Sequence, residues 1–139
     1  MEYSKPYIIN DRPFLQAPTV LVVEDVKSNL QYLHLQLKRL KYNVIATNDG
    51  EKALELALIY KIDCVLLDIH LGQDISGITI MEELRKKEKY KNIPIVSITA
   101  FYGYEFKKDF IDSGFNDYIS KPYNLEHLKE VLDKLIYKK

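Results

Sequence analysis

The sequence predicts a doubly wound α/β domain, a five-stranded parallel sheet with helices on both faces. Three observations lead there. Short apolar runs alternate with segments of helical period, five times over, and that alternation is the pattern of βα units. Two of the runs, Val20-Leu21-Val22-Val23 and Cys64-Val65-Leu66-Leu67, are apolar throughout, as strands covered on both faces are. The chain has 139 residues, 47% hydrophobic and 29% charged, which fits one ordinary globular domain able to bury its own core.

The elements are taken in chain order. Met1 to Pro18 holds Pro6, Pro13 and Pro18 and shows no sustained period. It reads as an arm or linker, with Phe14 and Leu15 available to pack, and the folded domain is expected over 19–139. The first strand is the run from Val20. Leu30, Leu33, Leu37 and Leu40 then recur at helical spacing. Tyr42 to Thr47 is the second strand. Asp49 is a good N-cap for a helix with Ala53, Leu54, Ala57 and Leu58 on its core face. The third strand runs from Cys64 and ends at Asp68. Ile78, Met81 and Leu84 mark a third helix. Ile95 to Thr99 is the fourth strand. Phe106, Phe110 and Ile111 mark a fourth helix, stopped near Gly114. Asp117 to Ser120 is a short fifth strand, and Asn124 caps a last helix with Leu125, Leu128, Leu132 and Leu135 on its core face. Right-handed crossovers reduce the topologies to a few doubly wound orders.

Composition excludes several classes. Twenty basic and twenty acidic residues cancel, so there is no broad electrostatic footprint for nucleic acid or anionic lipid. Cys64 is the single cysteine, which rules out an internal disulfide framework and a Cys-rich zinc module. No apolar run approaches ~20 residues, so no membrane insertion is expected. The N-terminus lacks a basic region followed by an apolar stretch, so it does not read as a secretory signal, and a reducing cytoplasm is the expected location.

In sheets of this kind, ligands bind at the carboxyl ends of the strands. Those ends carry a specific set of residues. Glu24 and Asp25 come after the first strand, Asp68 ends the third, Thr99 ends the fourth, and Lys121-Pro122 comes after the fifth. Any one of them alone reads as a solvated or capping residue. Together they place three carboxylates, a hydroxyl and an ammonium on one rim. Clustered carboxylates call for a cation, and hard oxygen ligands with room for water suit Mg²⁺. A metal beside a carboxylate neutralises an incoming phosphoryl group, and Lys121 and Thr99 can bind the same oxygens. Phosphoryl transfer is mostly positioning and charge stabilisation, with Asp68 as candidate nucleophile.

These residues resemble a known family, the receiver domains of two-component response regulators, similar in fold to the chemotaxis regulator. The motifs are Val22-Val23-Glu24-Asp25, Leu66-Leu67-Asp68, Ser97-Ile98-Thr99-Ala100 and Asp117-Tyr118-Ile119-Ser120-Lys121-Pro122. The resemblance covers Thr19 to about Ile136. It implies a flavodoxin-like (βα)5 sheet of order 2-1-3-4-5. The run Gly114-Phe115-Asn116-Asp117 continuing to Pro122 looks most like receivers of hybrid histidine kinases.

The resemblance also implies roles. Asp68 accepts a phosphoryl group from a phosphohistidine on a partner, a histidine kinase or a histidine phosphotransfer protein. Asp25, Asp68 and the backbone carbonyl of His70 bind Mg²⁺ directly, with Glu24 acting through a water. Thr99 and Lys121 contact the phosphoryl group, and the Lys121-Pro122 bond is cis. Phosphorylation adds a charge of about −1.5 to −2. Thr99 moves toward it, Tyr118 turns inward as the switch aromatic, and a downstream protein reads the face formed by the fourth helix, fifth strand and fifth helix. Such a protein is a switch rather than an enzyme acting on a separate substrate.

Departures from the family pattern fall in the loop Ile69-His70-Leu71-Gly72-Gln73-Asp74-Ile75-Ser76-Gly77, which is longer than usual and lacks the common Met-Pro. His70 and Phe101 occupy positions that tune phosphoryl lifetime in the family, and bulky Phe101 is expected to shield the acyl phosphate. His34 lies on the first helix beside Leu30 and Leu37 and is not expected to be a phosphorelay histidine; His127 and the Lys-rich segment from Arg85 to Lys89 read as solvated residues, and Cys64 as a core residue. A flavin-binding protein would need a phosphate-cradling loop where Glu24 and Asp25 stand. An aspartate-nucleophile hydrolase would need a second acid where His70 stands. The alternative within the fold is a pseudo-receiver, a phosphorylation-independent interaction module. Stand-alone regulator and hybrid-kinase receiver in a phosphorelay both remain open.

Overall fold

The computed structural model describes residues 5–69, 76–100 and 111–137. Within them the elements are β1 (Ile8–Asp11), β2 (Thr19–Val23), α1 (Lys27–Arg39), β3 (Asn43–Thr47), α2 (Gly50–Ile59), β4 (Cys64–Asp68), α3 (Gly77–Arg85), a 3₁₀ turn (Glu88–Tyr90), β5 (Ile95–Thr99), β6 (Asp117–Ser120) and α4 (Leu125–Ile136). The six strands lie in the order β1-β3-β2-β4-β5-β6. The five expected parallel strands are therefore present in the expected order. A sixth is added at the β3 edge, where Ile8 to Asp11 pairs antiparallel with Thr47 to Val44. Of the predicted fourth helix, Phe106 and Phe110 lie outside the described residues; residues 111–113 are helical, and Gly114 follows with a φ of 125°.

Burial explains the sheet. Every residue of β2, β3, β4 and β5 is buried. Successive side chains alternate between two cores. Val20, Val22, Val44, Leu66 and Val96 pack with Leu30, Leu33 and Leu37 of α1 and Leu128 and Leu132 of α4. Leu21, Val23, Ile45, Val65 and Leu67 pack with Leu56 of α2 and Ile80, Met81 and Leu84 of α3. Cys64 lies fully buried in β4, and burial pushes its thiol up to about 12, so it is an unreactive core residue.

Helix faces shift slightly from expectation. Leu56 rather than Leu58 is buried on α2, Ile80 rather than Ile78 on α3, and Val131 joins Leu128 and Leu132 on α4. Each of these helices has apolar residues on more than one face, so spacing alone leaves its rotation open. The caps are clear. Asp49 accepts from the Glu51 and Lys52 amides, Ser76 from the Thr79 amide, and Asn124 from the His127 amide.

Arg85, at the end of α3, ties the lower side of the sheet. Its guanidinium donates to the carbonyls of Tyr90, Ile93 and Gly114 and to Asn116 Oδ1. The segments leading into β5 and β6 thus share one half-buried cation.

Candidate functional site

The parallel register brings the strand ends to one rim. Asp68 lies opposite Ile98, and Thr99 opposite Ser120. The Ile69 amide donates to the Ile98 carbonyl at 3.2 Å and the Lys121 amide to the Thr99 carbonyl at 2.8 Å. The Lys121-Pro122 peptide bond is cis.

The side chains meet on Lys121. Its ammonium donates to Glu24 Oε1 at 2.9 Å and to Asp68 Oδ2 at 3.3 Å. The other Glu24 oxygen, Oε2, accepts from the Val26 amide at 3.1 Å. Glu24 is 3% exposed and Asp68 6%, so two carboxylates are held inside the rim by one cation. Burial pushes the Glu24 carboxyl above its ordinary value; its bond from Lys121 opposes that, and the Asp68 charge adds to it. Burial alone would lower the Lys121 ammonium, but Glu24 and Asp68 together raise it. The site therefore stores charge that only ionic partners make tolerable.

Other predicted residues take distinct places. Asp25 is half-buried beside Glu24. Thr99 is fully buried. Tyr118 lies on β6, partly buried against the α2/α3 core. His70 and Phe101 lie outside the described residues.

Two features escape motif reading. Gly77 opens α3 against the phosphoacceptor candidate: a Cβ there would stand 2.3 Å from the Asp68 carbonyl oxygen. Its amide donates to the Ile69 carbonyl at 3.2 Å. The missing side chain is what lets the helix start so close, a signal that needs three-dimensional packing to see. The second is a cleft of about 280 Å³ lined by Glu24, Asn29, Tyr32, Lys121, Pro122 and Tyr123, which reaches Glu24 and Lys121 between α1 and the cis-proline turn.

The donor set of Glu24, Asp25 and Asp68 is oxygen only, which suits a hard cation. Among the described residues, no three His, Cys, Asp or Glu side chains are gathered closely enough to hold a metal unaided. A Mg²⁺ ion keeps several waters and needs only one or two carboxylates. The Lys121 ammonium between Glu24 and Asp68 shows that cationic charge fits there.

A doubly wound sheet with buried acids and a lysine at its carboxyl rim defines a class of phosphoryl-accepting signalling domains. The response regulator receiver domain profile matches residues 20–133, and the chain belongs to that family. It is 35% identical over 109 residues to the response regulator ArlR of Staphylococcus aureus, covering 78% of this chain and 48% of that protein. It is 30% identical over 111 residues to RpaA of Synechocystis, a DNA-binding dual master transcriptional regulator, covering 80% of this chain and 46% of that one. The chain thus spans about half the length of these relatives. Among solved structures, the receiver domain of the sensor histidine kinase PA1611 of Pseudomonas aeruginosa superposes with a TM-score of 0.79 at 28% identity, over 88% of this chain and 99% of that one; it carries magnesium coordinated in its active-site cleft. Receivers of this family are signalling switches that work with histidine kinases or phosphotransfer proteins. No helix among the described residues is long and apolar enough to cross a membrane.

Proposed function

We propose that Asp68 is the phosphoacceptor of a two-component signalling switch and takes its phosphoryl group from a phosphohistidine on a partner kinase or phosphotransfer protein. The observation that carries this reading is the Lys121 ammonium, bound to both Glu24 and Asp68 at the sheet rim. An Asp68 carboxylate oxygen forms a bond to phosphorus as the phosphorus–nitrogen bond of the donor breaks. The electron pair stays on the imidazole nitrogen, which a proton then neutralises. Lys121, whose ammonium already reaches Asp68 Oδ2 at 3.3 Å, would pair with the new charge. Thr99, at the end of β5, is the hydroxyl donor for a phosphoryl oxygen.

Asp25, Asp68 and the residue 70 carbonyl are the residues to hold Mg²⁺, with Glu24 reaching it through water. When bound, the ion supplies charge neutralisation for the phosphoryl oxygens. Phosphorylation would draw Thr99 toward the rim and let Tyr118 follow, changing the face formed by the predicted fourth helix, β6 and α4 that a downstream protein reads. A cytoplasmic setting, and service either as a stand-alone regulator or as a hybrid-kinase receiver, fit this reading. Phe101 and His70 are assigned the control of phosphoryl lifetime.

The test is intact mass after incubation with acetyl phosphate, with and without Mg²⁺. A Mg²⁺-dependent gain of one phosphoryl group is expected. No gain from a folded chain that binds Mg²⁺ would contradict the reading and favour a pseudo-receiver.

A further inference from the structure

The family profile begins at Val20, so β1 lies outside the pattern that defines a receiver. Beyond its ladder with β3, the side chains on one face of β1 and of Tyr7 just before it reach a single helix. The Tyr7 hydroxyl accepts from Gln31 Nε2 at 3.1 Å, and the Lys27 ammonium stands 4.3 Å from the Tyr7 ring centroid. Asp11 Oδ2 meets His34 Nε2 at 2.8 Å and the Lys38 ammonium at 3.1 Å. Lys27, Gln31, His34 and Lys38 are spaced by four, three and four, so they form one stripe of α1. Between the two anchor points, Ile9 packs against the core that α1 covers. Tyr7 is itself held, its amide donating to Asn48 Oδ1 at 2.9 Å.

The helix that receives these contacts lacks a feature of α2, α3 and α4. Its N-cap position is Val26, with no side-chain cap, and its first turn has no acidic residue. It opens on Lys27, a charge of the sign that a helix N-terminus disfavours. The turn leading into it is Glu24-Asp25. The antiparallel sense of β1 brings Tyr7 to this same end of the sheet, onto Lys27 itself.

We propose that β1 is a clasp: Tyr7 and Asp11 are positioning residues that fix α1, and through its first turn the Glu24-Asp25 pair, in place of a capping side chain. The consequence for metal binding rests on the phosphoacceptor reading of the rim. The clasp uses one side of β1. Ile9 and Asp11 face α1, while Asn10 and Arg12 face the α2 side and touch Tyr60.

That division supplies the control. Tyr7→Ala and Asp11→Ala are made in the full chain, with Arg12→Ala as the variant that disturbs the arm on its other side. Amide hydrogen exchange is followed across residues 24–31, and Mg²⁺ affinity by calorimetry. In Tyr7→Ala, exchange over the first two turns of α1 is expected to rise at least about fivefold while β4 and β5 keep their protection. Mg²⁺ binding is expected to weaken about threefold, which is the scale of a modest loss of preorganisation. Asp11→Ala should act in the same direction and Arg12→Ala on neither readout. Exchange in α1 equal across the three variants and the unmodified chain, or unaltered Mg²⁺ affinity in both clasp variants, would overturn the proposal. Failure of the unmodified chain to bind Mg²⁺ would count against the phosphoacceptor reading instead, and the exchange data would then decide the clasp alone.

Discussion

At the carboxyl rim, Glu24 and Asp68 are buried and share Lys121; at the β3 edge, Asp11 sits partly in solvent between His34 and Lys38. Both regions hold acids against cations, yet the physical result has opposite sign. Burial dominates at the rim and pushes Glu24 up. Partners dominate at the edge, where the His34 and Lys38 bonds hold Asp11 below its ordinary value. The rim is thus a place where folding retains costly buried charge, and the edge a place where charge is held cheaply near solvent.

Three changes sharpen that contrast. The largest effect is expected from Gly77→Ala. The new methyl group must displace the Asp68 carbonyl, a backbone atom that cannot rotate away. Stability should fall by about 1–3 kcal/mol, the usual scale for overpacking, and acetyl phosphate labelling should slow. Urea denaturation and labelling rates check this. Labelling at the unmodified rate would show that the rim tolerates movement of its acceptor strand.

Glu24→Gln comes next, read as a pH dependence without Mg²⁺. A carboxyl raised in the folded state binds its proton more tightly there than in the unfolded chain. Its ionisation therefore removes stability as pH climbs from the ordinary value of 4.5 to the raised one, and the loss persists at higher pH. The glutamine variant lacks this penalty, so its stability relative to the parent should increase with pH through that window. Denaturation in chelator from acidic to neutral pH reads the slope.

Asp11→Asn is the smallest, under about 1 kcal/mol for a partly exposed pair. Its sign is reversed. A lowered carboxyl contributes stability that is present above its unfolded value of 3.8 and lost as pH falls through the folded value. Parent and variant should differ at neutral pH and converge in acid. A difference that grows toward acid would break the contrast between edge and rim.

The rim was legible in the sequence because fully buried parallel strands are short apolar runs, and topology places the residues just after each run at the same end of the sheet. Glu24, Asp68 and Lys121 could be placed together on that ground, and the structure puts them within hydrogen-bonding distance. The edge was illegible for a matching reason. β1 is four residues long between Pro6 and Pro13, half-exposed, and gains its regularity from β3 rather than from its own pattern. Nothing in the sequence pairs His34 with Asp11, 23 residues apart, until the strand brings them together. The same limit applies to the rotation of α2 and α3, where Leu56 and Ile80 displaced Leu58 and Ile78 from the core. Gly77 was legible as a loop landmark, while its contact with the Asp68 backbone depends on how α3 enters the sheet.

The central claim is that the phosphoryl group goes to Asp68. Borohydride reduces an acyl phosphate to the alcohol, so reduction after acetyl phosphate treatment marks the acceptor permanently. Peptide mapping should then find homoserine at position 68, dependent on Mg²⁺, and no mark in Asp68→Asn. A mark on another residue, or an equal mark in the Asp68→Asn chain, would contradict the account.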